Sequence, residues 1–125
     1  MSFNAPAVIQ SFWSAQSGLP SLWLEYAPEP LNPPIAVLEA TGFSRDYISA
    51  GMKQDTHNYK ISILTTSAET TWTTGEAATV AMENLTHEKI IAVRISPDNL
   101  AKPVQVGQAD LWVFEFSVEI DIFDN

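Results

Sequence analysis

A chain of 125 residues accommodates one domain, and at that size roughly two thirds of the unfolded surface can be buried without a covalent staple. The absence of cysteine excludes disulfides, thiolate metal sites and cysteine nucleophiles. The formal net charge of −9 sets six basic residues, Arg45, Lys53, Lys60, Lys89, Arg94 and Lys102, against fifteen acidic ones. The bases are scattered, which argues against a binder of phosphate backbones.

The opening MSFNAPAVIQSFW has neither the basic lead nor the cleavage site of a secretion signal, and no apolar run reaches bilayer length. A soluble, intracellularly made protein is expected. Within this stretch, Val8, Ile9, Phe12 and Trp13 recur at helical spacing, and the pattern predicts an amphipathic helix over residues 5–17. Asn4 is its expected cap, Pro6 suits its first turn and Gly18 stops it. The next apolar residues, Leu22, Trp23, Leu24 and Tyr26, form either a short strand or an irregular packed segment. Four prolines in PEPLNPP make residues 28–34 a stiff connector. It delivers the chain to IAVLEA, a short strand apolar on both faces.

Residues 42–56 are polar and show no sustained period, so they read as a long exposed loop or the tip of an extended hairpin. The strand expected over residues 58–66 places Tyr59, Ile61, Ile63 and Thr65 on one face, with Leu64 breaking the alternation. A helix follows, with Thr66 and Thr73 both at capping-box spacing from a glutamate. Its firmer part, residues 76–85, has Ala77, Val80, Ala81 and Leu85 as the expected buried stripe. KIIAVRI, residues 89–95, reads as a strand, Ser96-Pro97-Asp98-Asn99 as a turn, and residues 100–106 as extended chain.

The last run, DLWVFEFSVEIDIFDN, alternates most cleanly. Trp112, Phe114, Phe116, Val118, Ile120 and Ile122 form a dry face; Glu115, Ser117, Glu119 and Asp121 form a wet one. Such a strand needs partners beside it and a layer over its dry face. The expected architecture is a single α+β domain over residues 1–125, with a mainly antiparallel sheet of four to five strands and two helices packed on one face.

No pattern specifies a chemistry, and no catalytic, cofactor-binding or metal residues are assigned. Successive carboxylates of the wet face lie about 6.8 Å apart along one strand, whereas hard cations need oxygens converging from several elements. A solvated face that discourages edge-to-edge aggregation is the reading there. His57 and His87 have Asp55 and Glu88 nearby but no nucleophile or metal-ligand partner at a recognised spacing. TTGEAAT has no lysine and is no phosphate-binding loop, and the Asn84-Leu85-Thr86 sequon matters only in a secreted chain. Of the four tryptophans, Trp13 and Trp112 sit on stripes that predict burial, while Trp23 and Trp72 lie off them and are candidate interface anchors.

The order of elements is an amino-terminal amphipathic helix, PPIAVLEA, a long loop, YKISILTTSAETTWTTGEAATVAMENL and a terminal amphipathic strand. It resembles the small tail-terminator and tail-completion proteins of tailed bacteriophages over nearly the whole chain. The resemblance implies a non-enzymatic structural virion protein. Such a protein would form a ring, usually hexameric, that caps the tail tube and joins it to the head-side connector. It would reside in the host cytoplasm during assembly and then in the virion tail or neck, with DNA passing through the ring without specific binding, and with no membrane contact. The expected partners are copies of itself, the tube and the connector. Candidate contacts are Phe43, Arg45, Tyr47, Met52 and Lys53 in the loop, together with Trp23 and Trp72.

Two other classes remain open. An acidic module that inhibits a basic protein partner would concentrate carboxylates on one surface; a small-molecule-binding or enzymatic domain would show a pocket with convergent polar groups.

Overall fold

The computed structural model describes residues 3–26, 32–49 and 51–124. Most of the proline-rich connector, residues 27–31, lies outside them. The elements in chain order are α1 (Ala5–Ser14), β1 (Ser21–Leu24), β2 (Ile35–Ser49), β3 (Met52–Thr65), α2 (Ala68–Glu83), β4 (Ile90–Val106) and β5 (Ala109–Asp124). They form an α+β domain with one five-stranded sheet of order β1-β2-β3-β5-β4, in which β1 runs parallel to β2 and all other neighbours are antiparallel.

The terminal strand is pulled into the interior by its own alternation. Phe114, Phe116, Val118, Ile120 and Ile122 are all buried, and burial of each such side chain contributes about 1.5–3 kcal/mol. Directly opposite on β3 lie Ile63, Ile61, Tyr59, His57 and Asp55, so this face runs unbroken across the two central strands. Both helices cover it. α1 contributes Ala5, Ile9 and Trp13; α2 contributes Ala78 and Met82, with Leu85 just beyond its end. Trp13 satisfies its buried indole N–H by donating to the Pro20 carbonyl at 2.6 Å.

The cap of α1 is the expected one, Asn4 Oδ1 accepting from the Ala7 N–H at 3.2 Å, but the helix ends at Ser14, three residues early. For α2 the expected caps are replaced by Ser67, whose hydroxyl accepts from the Thr70 N–H at 3.1 Å. The expected stripe is also corrected. Ala77 and Val80 are exposed and Ala81 is half-buried; the buried line is Thr71, Gly75, Ala78 and Met82, continuing to Leu85. The reason lies at Gly75. A Cβ there would stand 2.2 Å from Cγ of Phe114, so α2 can lie this close only where it has no side chain. Thr71 reaches the same layer because its hydroxyl meets the Thr65 hydroxyl and donates to the Trp112 carbonyl at 3.3 Å.

Two further readings change. Ser96-Pro97-Asp98-Asn99 is no turn: residues 90–106 form one strand, with register shifts between Pro97 and Asn99 and between Asn99 and Lys102. β4 is an edge strand, the position in a sheet where prolines such as Pro97 and Pro103 are tolerated. The β4–β5 connection is the two-residue Gly107-Gln108, Gly107 adopting φ +63°. Trp112, expected in the core, is half-buried, because the sheet's last rows lie at the margin of the helix layer.

Gly75→Ala tests the close seat of α2. In an exposed helix interior this change stabilises by roughly 0.5–1 kcal/mol. Here overpacking against Phe114 is expected to destabilise by about 1–3 kcal/mol in denaturant unfolding, and Phe114→Leu in the same chain to recover part of the loss. A Gly75→Ala chain as stable as the parent would show that the contact does not constrain the helix.

Candidate functional site

Residues 42–56, expected as a loop or a hairpin tip, are the distal half of a long hairpin. β2 and β3 stay paired from Ile35–Leu64 out to Ser49–Met52, with one irregularity between Ala40 and Gly42 and another near the turn, where Gly51 sits. The two strands of the hairpin differ in cover: from Glu39 to Ser49 every β2 residue is exposed, whereas β3 stays paired with β5 out to Lys53, with Asp55 and Ile122 still buried. β1 pairs with β2 only from Ile35 to Leu38, and no described strand pairs along that edge of β2 beyond it. The outer half of β2 is therefore an open sheet edge, the exposed flank of an arm it forms with the outer part of β3, and it carries no proline.

Alternation places Phe43, Arg45 and Tyr47 on one face of this arm, opposite His57, Asp55 and Lys53 of β3. Because His57 and Asp55 also face Ile120 and Ile122, this is the helix side of the sheet. Phe43 is 55% and Tyr47 76% exposed, with Ile48 and Met52 exposed on the same arm. Arg45 is tied down: Nε and Nη2 donate to the two carboxylate oxygens of Asp55 at 2.6 and 2.8 Å, and its guanidinium lies 5.6 Å from the Phe43 ring centroid. That fork holds the Asp55 carboxyl below its usual range, against the opposing effect of burial.

Asp55, which the sequence places near His57, is thus engaged elsewhere. His57 sits at the root of the arm among the rings of Phe3, Phe43 and Tyr59, with centroids 6.1, 5.1 and 6.5 Å away. Its Nε2 is buried and makes no hydrogen bond. Burial lowers its pKa, Arg45 adding to the effect and Asp55 opposing it. His87, in the segment before β4, packs edge-on against Phe3 and accepts from the Lys89 N–H through Nδ1.

The seven candidate contacts fall into three places. Phe43, Arg45, Tyr47, Met52 and Lys53 share the arm. Trp23, half-exposed, pairs with Val37, whose β3 partner is Ser62, and so lies on the face opposite the helices. Trp72, also half-exposed, projects from α2 and packs edge-on against Phe114 at the end of the sheet remote from the arm.

The wet face of β5 is more ordered than a solvated stripe. Arg94 of β4 donates to Glu119 and to both oxygens of Asp121, while the Thr56 hydroxyl donates to Asp121 at 2.7 Å. Glu115 receives Asn99 at 2.6 Å, Ser62 at 3.2 Å and the Lys60 ammonium at 3.2 Å. Arg94 lowers the pKa of Asp121, against burial and with help from Thr56. Burial opposes the lowering of Glu115, but its three donors together outweigh it. These contacts cross strands, so the adjacency of β3, β5 and β4 makes them and no sequence spacing announces them. Among the described residues, no group of three or more His, Asp or Glu is arranged to hold a metal ion, and no helix is long and apolar enough to cross a membrane. No protein-family model matches the chain, and no curated protein matches it.

The pKa directions separate in pH. A histidine depressed by folding contributes stability above its unfolded pKa of about 6.5 that is lost as pH falls through that value toward the folded one. Depressed carboxylates lose their contribution only below about pH 4 to 5. Thermal unfolding should therefore show a first decline as pH falls below about 7, before the carboxylates titrate, and His57→Phe should flatten that limb while leaving the steeper acid limb. An unchanged upper limb in His57→Phe would assign the decline to another group.

Proposed function

We propose that the chain is a structural assembly subunit of the tail-terminator type, closing into a ring that caps a tail tube and joins it to a head-side connector. The observation that carries this reading is the arm: an open strand edge on which every β2 residue from Glu39 to Ser49 is exposed, bearing Phe43, Tyr47 and Ile48, with Met52 exposed beside them on β3. Leaving such a strand uncovered invites aggregation unless a partner covers it, and strand edges with alternating side-chain anchors are a recurring mode of protein association. Order of elements, size and the two-layer build agree with the resemblance to tail terminators, and head-to-tail ring closure calls for two dissimilar surfaces at opposite ends of the subunit. The arm and the Trp72 end of α2 supply two such surfaces.

The competing reading, an acidic inhibitor of a basic partner, is less well supported. The densest run of carboxylates, Glu115, Glu119 and Asp121, is already held by Lys60 and Arg94.

Light scattering coupled to size-exclusion chromatography over a range of concentration and salt, with negative-stain imaging, checks the proposal. A discrete ring, hexamer favoured, is expected for the parent chain. Replacing residues 45–55 by Asn-Gly closes the hairpin at the Ser44–Thr56 pair. That variant should fold and remain a single subunit. Retention of both assembly and partner binding by the shortened chain would remove the arm from the interface.

A further inference from the structure

The arm differs in charge from the rest of the chain. Over residues 42–56 two bases, Arg45 and Lys53, balance two acids, Asp46 and Asp55, so the arm is neutral in a chain of −9 and the remainder carries all of that charge. The two bases share the helix-side face with Phe43 and Tyr47, whereas Asp46 lies on the other face. The helix-side face also holds Asp55, the partner of Arg45, so Lys53 supplies the surplus charge there.

The matching surface is on the helix layer. α2 carries Glu69, Glu76 and Glu83 and no Lys or Arg, and α1 carries no charged residue. Beside α2, toward the end of α1, runs an open groove of about 540 Å³ lined by Leu19, Thr73, Glu76, Ala77 and Val80 among others. Val80 is 59% exposed at its rim, in a stretch where the helix pattern alone would have buried it. The groove offers an apolar floor with a carboxylate, and the arm offers exposed aromatic and aliphatic side chains with a surplus cation. Net repulsion between two subunits of charge −9 makes such a local match the means of bringing copies together in one orientation.

We infer that the arm of one copy docks across the α1–α2 groove of the next, with Phe43 and Tyr47 on the apolar floor and Lys53 toward Glu76. The contact is heterologous: each subunit uses its arm at one end and its groove on the helix layer, so the next subunit is left with a free arm. This inference rests on the assembly reading and names the surface that performs it.

The cysteine-free chain permits a direct test. Tyr47→Cys is mixed with Val80→Cys or, separately, with Ala77→Cys, oxidised, and analysed for the mixed disulfide; Ser96→Cys, on the exposed part of β4, is the control. The expected result is a mixed disulfide at either groove position at least tenfold above the control. In parallel, Lys53→Glu and Glu76→Lys should each weaken self-association about threefold to tenfold, and the charge-swapped double variant should recover most of the loss. Mixed disulfide no higher than the control at both positions overturns the inference. So does a double variant as weak as the sum of the single ones. Imaging separates the two proposals: rings without the mixed disulfide retain the assembly reading and remove this docking mode, whereas the mixed disulfide in open chains or pairs retains the docking mode and removes the ring.

Discussion

The close approach of α2 to β5 governs the rest of the architecture. Phe114 occupies the space a Cβ on Gly75 would need, and this brings Thr71, Ala78 and Met82 down onto the central strand pair. With β3 and β5 held flat under the helices, β4 is carried along by its pairing with β5 and β2 by its pairing with β3. β3 stays paired with β5 out to Lys53, but β1 flanks β2 only as far as Leu38, so the outer half of β2 is left uncovered. The exposed edge of the arm is thus the consequence of a mismatch in length between β1 and β2. Its order comes from the cross-strand ladder and the Arg45–Asp55 fork rather than from burial.

Electrostatics divides the molecule in a way that composition alone conceals. Lys60 and Arg94 stand over the carboxylates of β5, so the sheet's outer face is a hydrogen-bonded network with much of its charge matched. α2 has no such matching within itself, and its glutamates face away from the core. The arm alone is neutral, with Arg45 and Lys53 on its helix-side face. An acidic protein organised this way repels its copies in most orientations, and least where the arm approaches the glutamates of α2.

Much of the scaffold was legible because burial leaves a periodic trace. The alternation of β5 and the Asn4 cap both appear in the structure where the pattern puts them. The failures share a cause. The stripe of α2 was misplaced because its seat is made by a threonine and a glycine, which carry no hydrophobic signal, while the exposed Val80 does. The outer half of β2 showed no alternation because both of its faces are exposed. The proline in β4 suggested a turn, and only the strand's place at the edge explains why the chain continues through it. Arg45–Asp55 and Arg94–Asp121 depend on strand register, which lies beyond any local motif. The candidate residues of the 42–56 segment lie on one hairpin, whereas Trp23 and Trp72 lie on different faces.

The central claim is that the open edge of β2 becomes covered when subunits meet. Amide hydrogen exchange, followed residue by residue in dilute protein and in concentrated, associating protein, tests it without altering the sequence. Exchange along the outer half of β2 is expected to be fast in the dilute chain and strongly slowed on association, with the outward amides of β4 unchanged. Exchange in β2 that stays fast in the associated state, or protection appearing along β4 instead, would contradict it.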